Sequence, residues 1–319
     1  MTTESPRASL FKIIVLLVVR LLYSTIEMSE QPHSMKIAGA LQEATALLRA
    51  AGIADNARPD ARTLLSHTLA RDHAFLIAHA DEEIEPATLA LFRARVARRA
   101  AGEPVQYITG RQEFYGLDFE VTPAVLIPRP ETELLVEAAL ELLRETSAPP
   151  LVCDVGTGSG CIPIALLHER RDARAIGLDI SPEALDVAAR NAARHGVAAR
   201  LTLLVSDCFA ALDSRAGPFT LITSNPPYIA EEDIPHLQRE VREHEPRVAL
   251  TPGGDGLSMI RRLFREAPRF LDAGGHLLCE IGYNQHEAVA SLVDGNVWTI
   301  LDTRKDLQGI PRMIVLRRK

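Results

Sequence analysis

The residues with the clearest capacity for chemistry are Asn225-Pro226-Pro227-Tyr228. They follow an apolar run, residues 219–222, that reads as a buried strand. Consecutive prolines give no N–H to a sheet ladder, so the chain leaves the sheet there with a stiff backbone. Asn225 is thereby held at the strand end and Tyr228 just past the bend. An amide oxygen, a carbonyl of fixed direction and an aromatic face suit the capture of a planar –NH2 group, with two acceptors for two N–H donors and a ring to stack on. Taken alone, the tetrapeptide is equally an ordinary strand-ending turn.

A second motif shifts that balance. Leu151-Val152-Cys153-Asp154-Val155 is a short apolar strand that runs into Gly156-Thr157-Gly158-Ser159-Gly160 and then a helical pattern containing Ile162, Ala165 and Leu166. Strand, glycine loop and helix let a ligand approach bare backbone. The spacing is Gly-x-Gly-x-Gly; a dinucleotide loop wants its last glycine where Cys161 stands, and the Lys-Ser/Thr of a P-loop is missing. Residues 173–178 read as the next strand, ending at Asp179, whose carboxylate can accept both hydroxyls of a ribose. Ser181-Pro182-Glu183 opens a helix that stops at Gly196. A third strand, residues 201–205, delivers Ser206-Asp207-Cys208. Read singly, Asp179 and Asp207 are solvated loop acids. Four strand ends that each carry a glycine or polar cluster describe the ligand edge of an open parallel sheet.

On these residues the sequence resembles the class I S-adenosylmethionine-dependent methyltransferases. More closely it is similar to the protein-(glutamine-N5) methyltransferases that modify peptide chain release factors, the HemK/PrmC family. The likeness includes Gly102-Glu103-Pro104-Val105-Gln106-Tyr107-Ile108, Glu113-Phe114-Tyr115-Gly116 and Leu126-Ile127-Pro128-Arg129-Pro130-Glu131-Thr132-Glu133. It continues through Glu245-Pro246, Gly254-Asp255-Gly256-Leu257 and Asp306-Leu307-Gln308-Gly309, and it runs from about Met35 to the C-terminus. The resemblance implies an α/β fold: a Rossmann-like class I methyltransferase sheet with a small N-terminal helical domain and a β-hairpin connector. It implies that Gly156, Thr157, Gly158, Ser159 and Gly160 cradle the methionine part of S-adenosylmethionine, that Asp179 binds the ribose, and that Asp207 and Cys208 lie beside the adenine. The family often has a large aromatic where Cys208 stands, and the neighbouring Phe209 is the expected substitute. Asn225 would touch cofactor and substrate, and Asn225, Pro226, Pro227 and Tyr228 would hold the glutamine amide of a Gly-Gly-Gln loop in class I release factors.

In that reading the Asn225 oxygen and the Pro226 carbonyl each accept one amide hydrogen, while Tyr228 packs on the amide plane. No strong base is called for, and none stands between Ser224 and Ile229. The rival enzyme is a nucleic-acid amino-methyltransferase acting on adenine N6 or guanine N2, with base flipping for duplex substrates. The net charge of −7 weighs against a basic target-recognition region. A non-catalytic relative would have eroded one of the two motifs, and both are intact.

The elements that must position these motifs follow. The 319 residues suffice for one α/β domain and a smaller one. Residues 1–34 form an extension, read as an upstream-extended start or a weakly helical tail; its apolar stretch, residues 10–22, carries Lys12 and Arg20 and is too short for a membrane span. Residues 35–105 read as a helical domain, which the family uses to recognise its protein substrate. Leu41, Ala44, Leu47 and Leu48 share one helical face, and Ala61, Leu64, Leu65 and Leu69 another. Arg93, Arg95, Arg98 and Arg99 form the best basic cluster, read as a solvated helix face. Residues 106–130 read as a β-hairpin linker with β character at Tyr107-Ile108, and 131–319 as the methyltransferase domain. Residues 126–133 are expected to wall the cofactor edge, and residues 229–250 to form a mobile flap. The four cysteines, 153, 161, 208 and 279, have neither disulfide nor zinc spacing, which suits a reducing cytoplasm; no metal is expected, and a monomer is the default.

Overall fold

A computed structural model describes residues 34–144, 146, 148–213 and 217–319. Apart from Ser34, the expected N-terminal extension lies outside the described residues. The chain divides into two compact units between Thr109 and Gly110.

The first unit is helical. A two-residue strand β1 (Met35–Lys36) pairs antiparallel with β2 (Glu83–Ile84), and around this clip lie α1 (Ile37–Ala50), α2 (Ala57–Leu69), α3 (His73–Ala78), α4 (Pro86–Ala100) and α5 (Val105–Thr109). Helix α1 buries Ile37, Ala40, Ala44 and Leu48, one stripe at three- and four-residue spacing; Leu41 and Leu47 flank it, half-buried. Helix α4 starts at Pro86 after Glu85, whose carboxylate accepts the Thr88 N–H at 3.0 Å. Its arginines are only in part a solvated face: Arg98 is exposed, while the others turn toward neighbouring helices. Arg93 makes a two-pronged pair with Glu43 (2.8 and 2.9 Å), Arg98 binds Glu103, and Arg99, only 5% exposed, binds Asp60 at 2.6 Å. The cluster knits the helices of this unit together. Tyr107-Ile108, expected in a strand, lies in α5. The carbonyl of Pro104 accepts both of their N–H groups, and Val105 and Ile108 bury three residues apart, a spacing that a strand would send to opposite faces.

The second unit opens with the hairpin β3 (Arg111–Phe114) and β4 (Leu117–Glu120), joined by the two-residue turn Tyr115-Gly116. A 3-10 turn (Pro130–Thr132) leads into α6 (Glu133–Arg144). Then come β5 (Leu151–Val155), α7 (Cys161–Glu169), β6 (Arg174–Asp179), α8 (Pro182–Arg194), β7 (Leu201–Val205) and β8 (Phe219–Ser224). Short helices α9 (Arg239–His244) and α10 (Arg247–Leu250) precede α11 (Ser258–Glu266), β9 (Leu271–Glu280), α12 (His286–Ser291), β10 (Trp298–Lys305) and β11 (Pro311–Arg318).

Seven strands form one sheet in the order β10-β11-β9-β8-β5-β6-β7, with only β11 running against its neighbours. Alternate residues of the parallel strands feed two cores. Val152, Ala175, Leu221 and Leu278 meet α6 and α7, while Cys153, Leu178, Ile222 and Leu277 meet α11 and α12. Both faces are covered, so the strands read as continuous apolar runs. From β5 the chain proceeds to β6 and β7 on one side and returns to β8 on the other. The carboxyl ends of β5 and β8 therefore flank the switch point where such sheets bind ligands.

Residues 229–250, expected as a mobile flap, fold into helical turns. Ile229 N–H bonds the Leu250 carbonyl at 3.0 Å, Glu231 N–H bonds that of Gly254 at 3.0 Å, and the Glu245 side chain is buried against Arg129. The segment's acidity misled the reading, because one of its acids points inward and is paired.

Candidate active site

At the switch point lies a cavity of about 550 Å³. Gly156, Thr157, Gly158, Ser159, Asp179, Asp207, Cys208, Asn225 and Pro227 all line it. The two motifs are adjacent: a Cβ built on Gly156 would lie 3.9 Å from the Asn225 carbonyl oxygen. Gly156, Gly158 and Gly160 have φ of 74°, 53° and 78°, so the loop needs glycine at each. A Cβ on Gly158 would meet no protein atom within 4 Å, which leaves bare backbone for a ligand. Gly160 does not line the cavity. Its Cβ would press on Ile164 (2.9 Å) and Ala188 (3.2 Å), so its task is to let α7 start close to α8. Asn191 completes the loop's support. Fully buried, it donates to the Ser159 carbonyl (2.9 Å) and exchanges hydrogen bonds with the Glu120 backbone (2.7 and 3.0 Å).

Asp179 accepts the Gly158 N–H on one oxygen (2.8 Å) and the Ser181 N–H on the other (3.0 Å). Burial lifts its carboxyl above the usual carboxylate range, and these N–H groups work against that rise. Each oxygen keeps a lone pair for a hydroxyl donor, as a ribose requires. Asp207 is exposed and gripped by Arg262, which donates to its carboxylate (2.5 Å) and its carbonyl (3.0 Å). Cys208 lines the wall with its thiol pushed up to about 11 by burial, so it is a small apolar surface and no nucleophile. Phe209 is no substitute for an adenine-stacking aromatic. It is buried with its ring stacked on Phe270 at 5.1 Å and does not line the cavity. The wall expected from residues 126–133 is present, with Leu126, Pro128, Arg129 and Thr132 lining the cavity. Arg129 binds Glu245 at 2.5 Å, yet burial still raises the Glu245 carboxyl.

Tyr228 departs from expectation, since neither it nor Pro226 lines the cavity. The Tyr228 phenol turns to Glu280, donating to Oε1 at 3.3 Å, and its carbonyl accepts from Gln285 Nε2 at 2.7 Å. The Pro-Pro bend sends the ring inward. Burial and the Glu280 charge raise the phenol's pKa far above its ordinary value. On the other oxygen of Glu280 the Thr132 hydroxyl donates at 2.7 Å, and Asn225 Nδ2 donates to that hydroxyl at 3.1 Å. Sequence reading did not single out Thr132, Glu280 or Asn191 for chemistry. Glu280 carried a usable signal, an acid at the carboxyl end of the apolar strand Leu277-Leu278-Cys279, the same pattern that identified Asp179.

The cavity, the bare glycine loop and the doubly anchored Asp179 fit S-adenosylmethionine: backbone N–H groups for its methionine end, a carboxylate for its ribose and a slot at Ser206-Asp207-Cys208 for its base. Residues 39–110 match the family described as PrmC N-terminal domain, and residues 152–254 match the methyltransferase domain family. The strand order, with the reversed β11 between β9 and β10, and the site at its switch point define a class I S-adenosylmethionine-dependent methyltransferase. A release factor glutamine methyltransferase of Cereibacter sphaeroides is 48% identical over 283 residues, which cover 89% of this chain and 99% of that protein. One of Nitratidesulfovibrio vulgaris is 45% identical over 282 residues, 88% of this chain and 94% of that protein. A solved release factor-specific protein-(glutamine-N5) methyltransferase of Alicyclobacillus acidocaldarius shares 30% identity, covering 63% of this chain and 99% of its own, with a TM-score of 0.39. The chain belongs to the release factor glutamine methyltransferase family.

Proposed function

We propose that this protein transfers a methyl group from S-adenosylmethionine to the side-chain amide nitrogen, N5, of the glutamine in the Gly-Gly-Gln motif of class I release factors. The observation that carries the site assignment is the orientation of Asn225. Its NH2 end is committed to Thr132 at 3.1 Å, which leaves Oδ1 as an acceptor at the cavity wall. A substrate carboxamide brings two N–H donors, and Asn225 Oδ1 takes one of them. The Pro226 carbonyl, stiffened by the following proline, is proposed for the other, although Pro226 itself does not line the cavity. Held this way, the substrate nitrogen is turned with its lone pair toward the donor methyl. The acceptors also stabilise the positive charge that grows on that nitrogen.

When bound, the cofactor supplies a methyl group made electrophilic by a sulfonium centre. Gly156 to Gly160 and Asp179 hold it, with Asp207 and Cys208 beside the base. Pro227 adds a rigid apolar wall. Tyr228 serves through its hydroxyl and carbonyl contacts, which fix the bend, and not as a stacking platform. The helical domain recognises the release factor. The protein is read as a monomer. Among the described residues no helix is long and apolar enough to cross a membrane, and the reaction belongs in the cytoplasm, where release factors work.

The test is a competition. The protein is incubated with methyl-labelled S-adenosylmethionine and equal amounts of unmodified release factor, duplex DNA and RNA. Label in the release factor is expected; label in nucleobases alone would favour the adenine-N6 or guanine-N2 alternative.

A further inference from the structure

We propose that Glu280, acting through Thr132, is the positioning residue that decides which end of the Asn225 amide faces the cavity, and that protonation of Glu280 reverses that amide. The inference rests on the function proposed above and concerns the same site. A threonine hydroxyl has one hydrogen. Thr132 spends it on Glu280 Oε2 at 2.7 Å, so toward Asn225 its oxygen can only accept. The NH2 end of Asn225 answers it at 3.1 Å, and Oδ1 is left for the substrate. Glu280 thereby sets the polarity of Thr132 and, through it, of Asn225.

A proton on Glu280 inverts the relay. Oε1 already receives the Tyr228 hydroxyl, so the proton settles on Oε2 and donates to Thr132 Oγ. The Thr132 hydrogen then points at Asn225, donor against donor. A half-turn of the amide relieves this and presents NH2 to the cavity, opposite the two N–H groups of the substrate. The acid form therefore disables the acceptor that the reaction uses.

The surroundings of Glu280 bring this proton into the neutral range. The residue is 4% exposed at the end of β9, and burial pushes its carboxyl up to about 7. The Thr132 and Tyr228 hydroxyls favour the charged form, as does Arg312 on β11, while Glu131 beside Thr132 disfavours it. Cys161 on α7 and the adjoining Cys279 carry thiols raised by burial, so both are neutral there. Arg129 acts on Tyr228 from the wall.

The test is the pH profile of kcat with full-length release factor for wild type, Glu280→Gln, Thr132→Val and Thr132→Ser. Wild-type kcat should fall on the acid side of about pH 7 with one proton, and Glu280→Gln, which cannot gain a proton, should lose that limb. Thr132→Val should lower kcat about tenfold or more at pH 8, with the cofactor Kd by calorimetry within about twofold; Thr132→Ser should restore it. Independently of turnover, infrared difference spectra of the protein alone should show a protonated-carboxyl component over the same pH range that is lost in Glu280→Gln, while the contribution of Asp154 at lower pH remains. Unchanged kcat in Thr132→Val, or an acid limb that survives Glu280→Gln, would overturn the inference. A wild type that labels no release factor at any pH would instead overturn the proposed function, and the infrared titration would still judge the relay.

Discussion

Asn225 offers one carboxamide, and its usefulness lies in which end is spoken for. Replacing it with alanine removes the acceptor and leaves the glycine loop and Asp179 in place. Asn225→Ala should lose on the order of 100-fold in kcat while cofactor affinity by calorimetry changes only a few-fold; near-normal turnover would remove Asn225 from the mechanism. The Asp179 carboxylate, proposed to take the ribose, also receives the Gly158 N–H. Asp179→Ala should therefore weaken cofactor binding by about 10- to 100-fold, a hydrogen bond to a charged group being worth roughly 1.5–3 kcal/mol. Unchanged affinity would discredit the ribose assignment. These two residues were legible because each ends an apolar strand, a pattern local in sequence. Thr132 and Glu280 stand 148 positions apart, and no spacing rule joins them. Phe209 shows the opposite failing: its type fits an adenine platform, but its neighbour Phe270 claims the ring.

At the scale of elements, the Pro-Pro bend is braced from outside its own motif. Gly256 sits at φ 78°, and a Cβ there would collide with the Tyr228 carbonyl group and reach the Ala230 nitrogen at 3.0 Å. Gly256→Ala must displace the bend or strain the turn, at a cost on the order of 1–3 kcal/mol. A lowered Tm together with reduced kcat is the expected result, and a variant that keeps both would show that the close approach is dispensable. The sequence marked this stretch only as a turn, because the pressure on it comes from the Tyr228 carbonyl, 28 residues earlier. The parallel strands and their helices were legible from apolar runs and punctuating glycines. The helix at Tyr107-Ile108 was not, since five residues give too short a period to tell helix from strand. Nor were the turns of residues 229–250, which a buried acid holds in place.

At the scale of the whole molecule, two buried carboxyls set a pH dependence of stability. Asp154, fully buried and bonded to the Thr223 hydroxyl at 2.7 Å, is pushed up to about 6 by burial, and Glu280 to about 7. Between their ordinary values and these, the folded state holds more protons than the unfolded chain. Stability from these groups is therefore present in acid and declines as pH rises from about 4 to about 7. For Glu280 the loss approaches roughly 3 kcal/mol, taking its ordinary 4.5 against about 7. Urea unfolding midpoints should fall across that window in wild type and fall less in Glu280→Gln; equal slopes would argue against the buried charge. Most of this architecture, down to the sheet edge that bears the site, followed from strand ends and glycines, whereas the internal polar relay required three dimensions. We propose above all that the cavity presents a release factor glutamine amide to the donor methyl. The most direct measurement is peptide mass spectrometry of a release factor treated with enzyme and S-adenosylmethionine. One added methyl on the glutamine side chain of Gly-Gly-Gln, absent with Asn225→Ala, is the predicted result; a glutamine left unmodified, or a methyl on another residue, would contradict it.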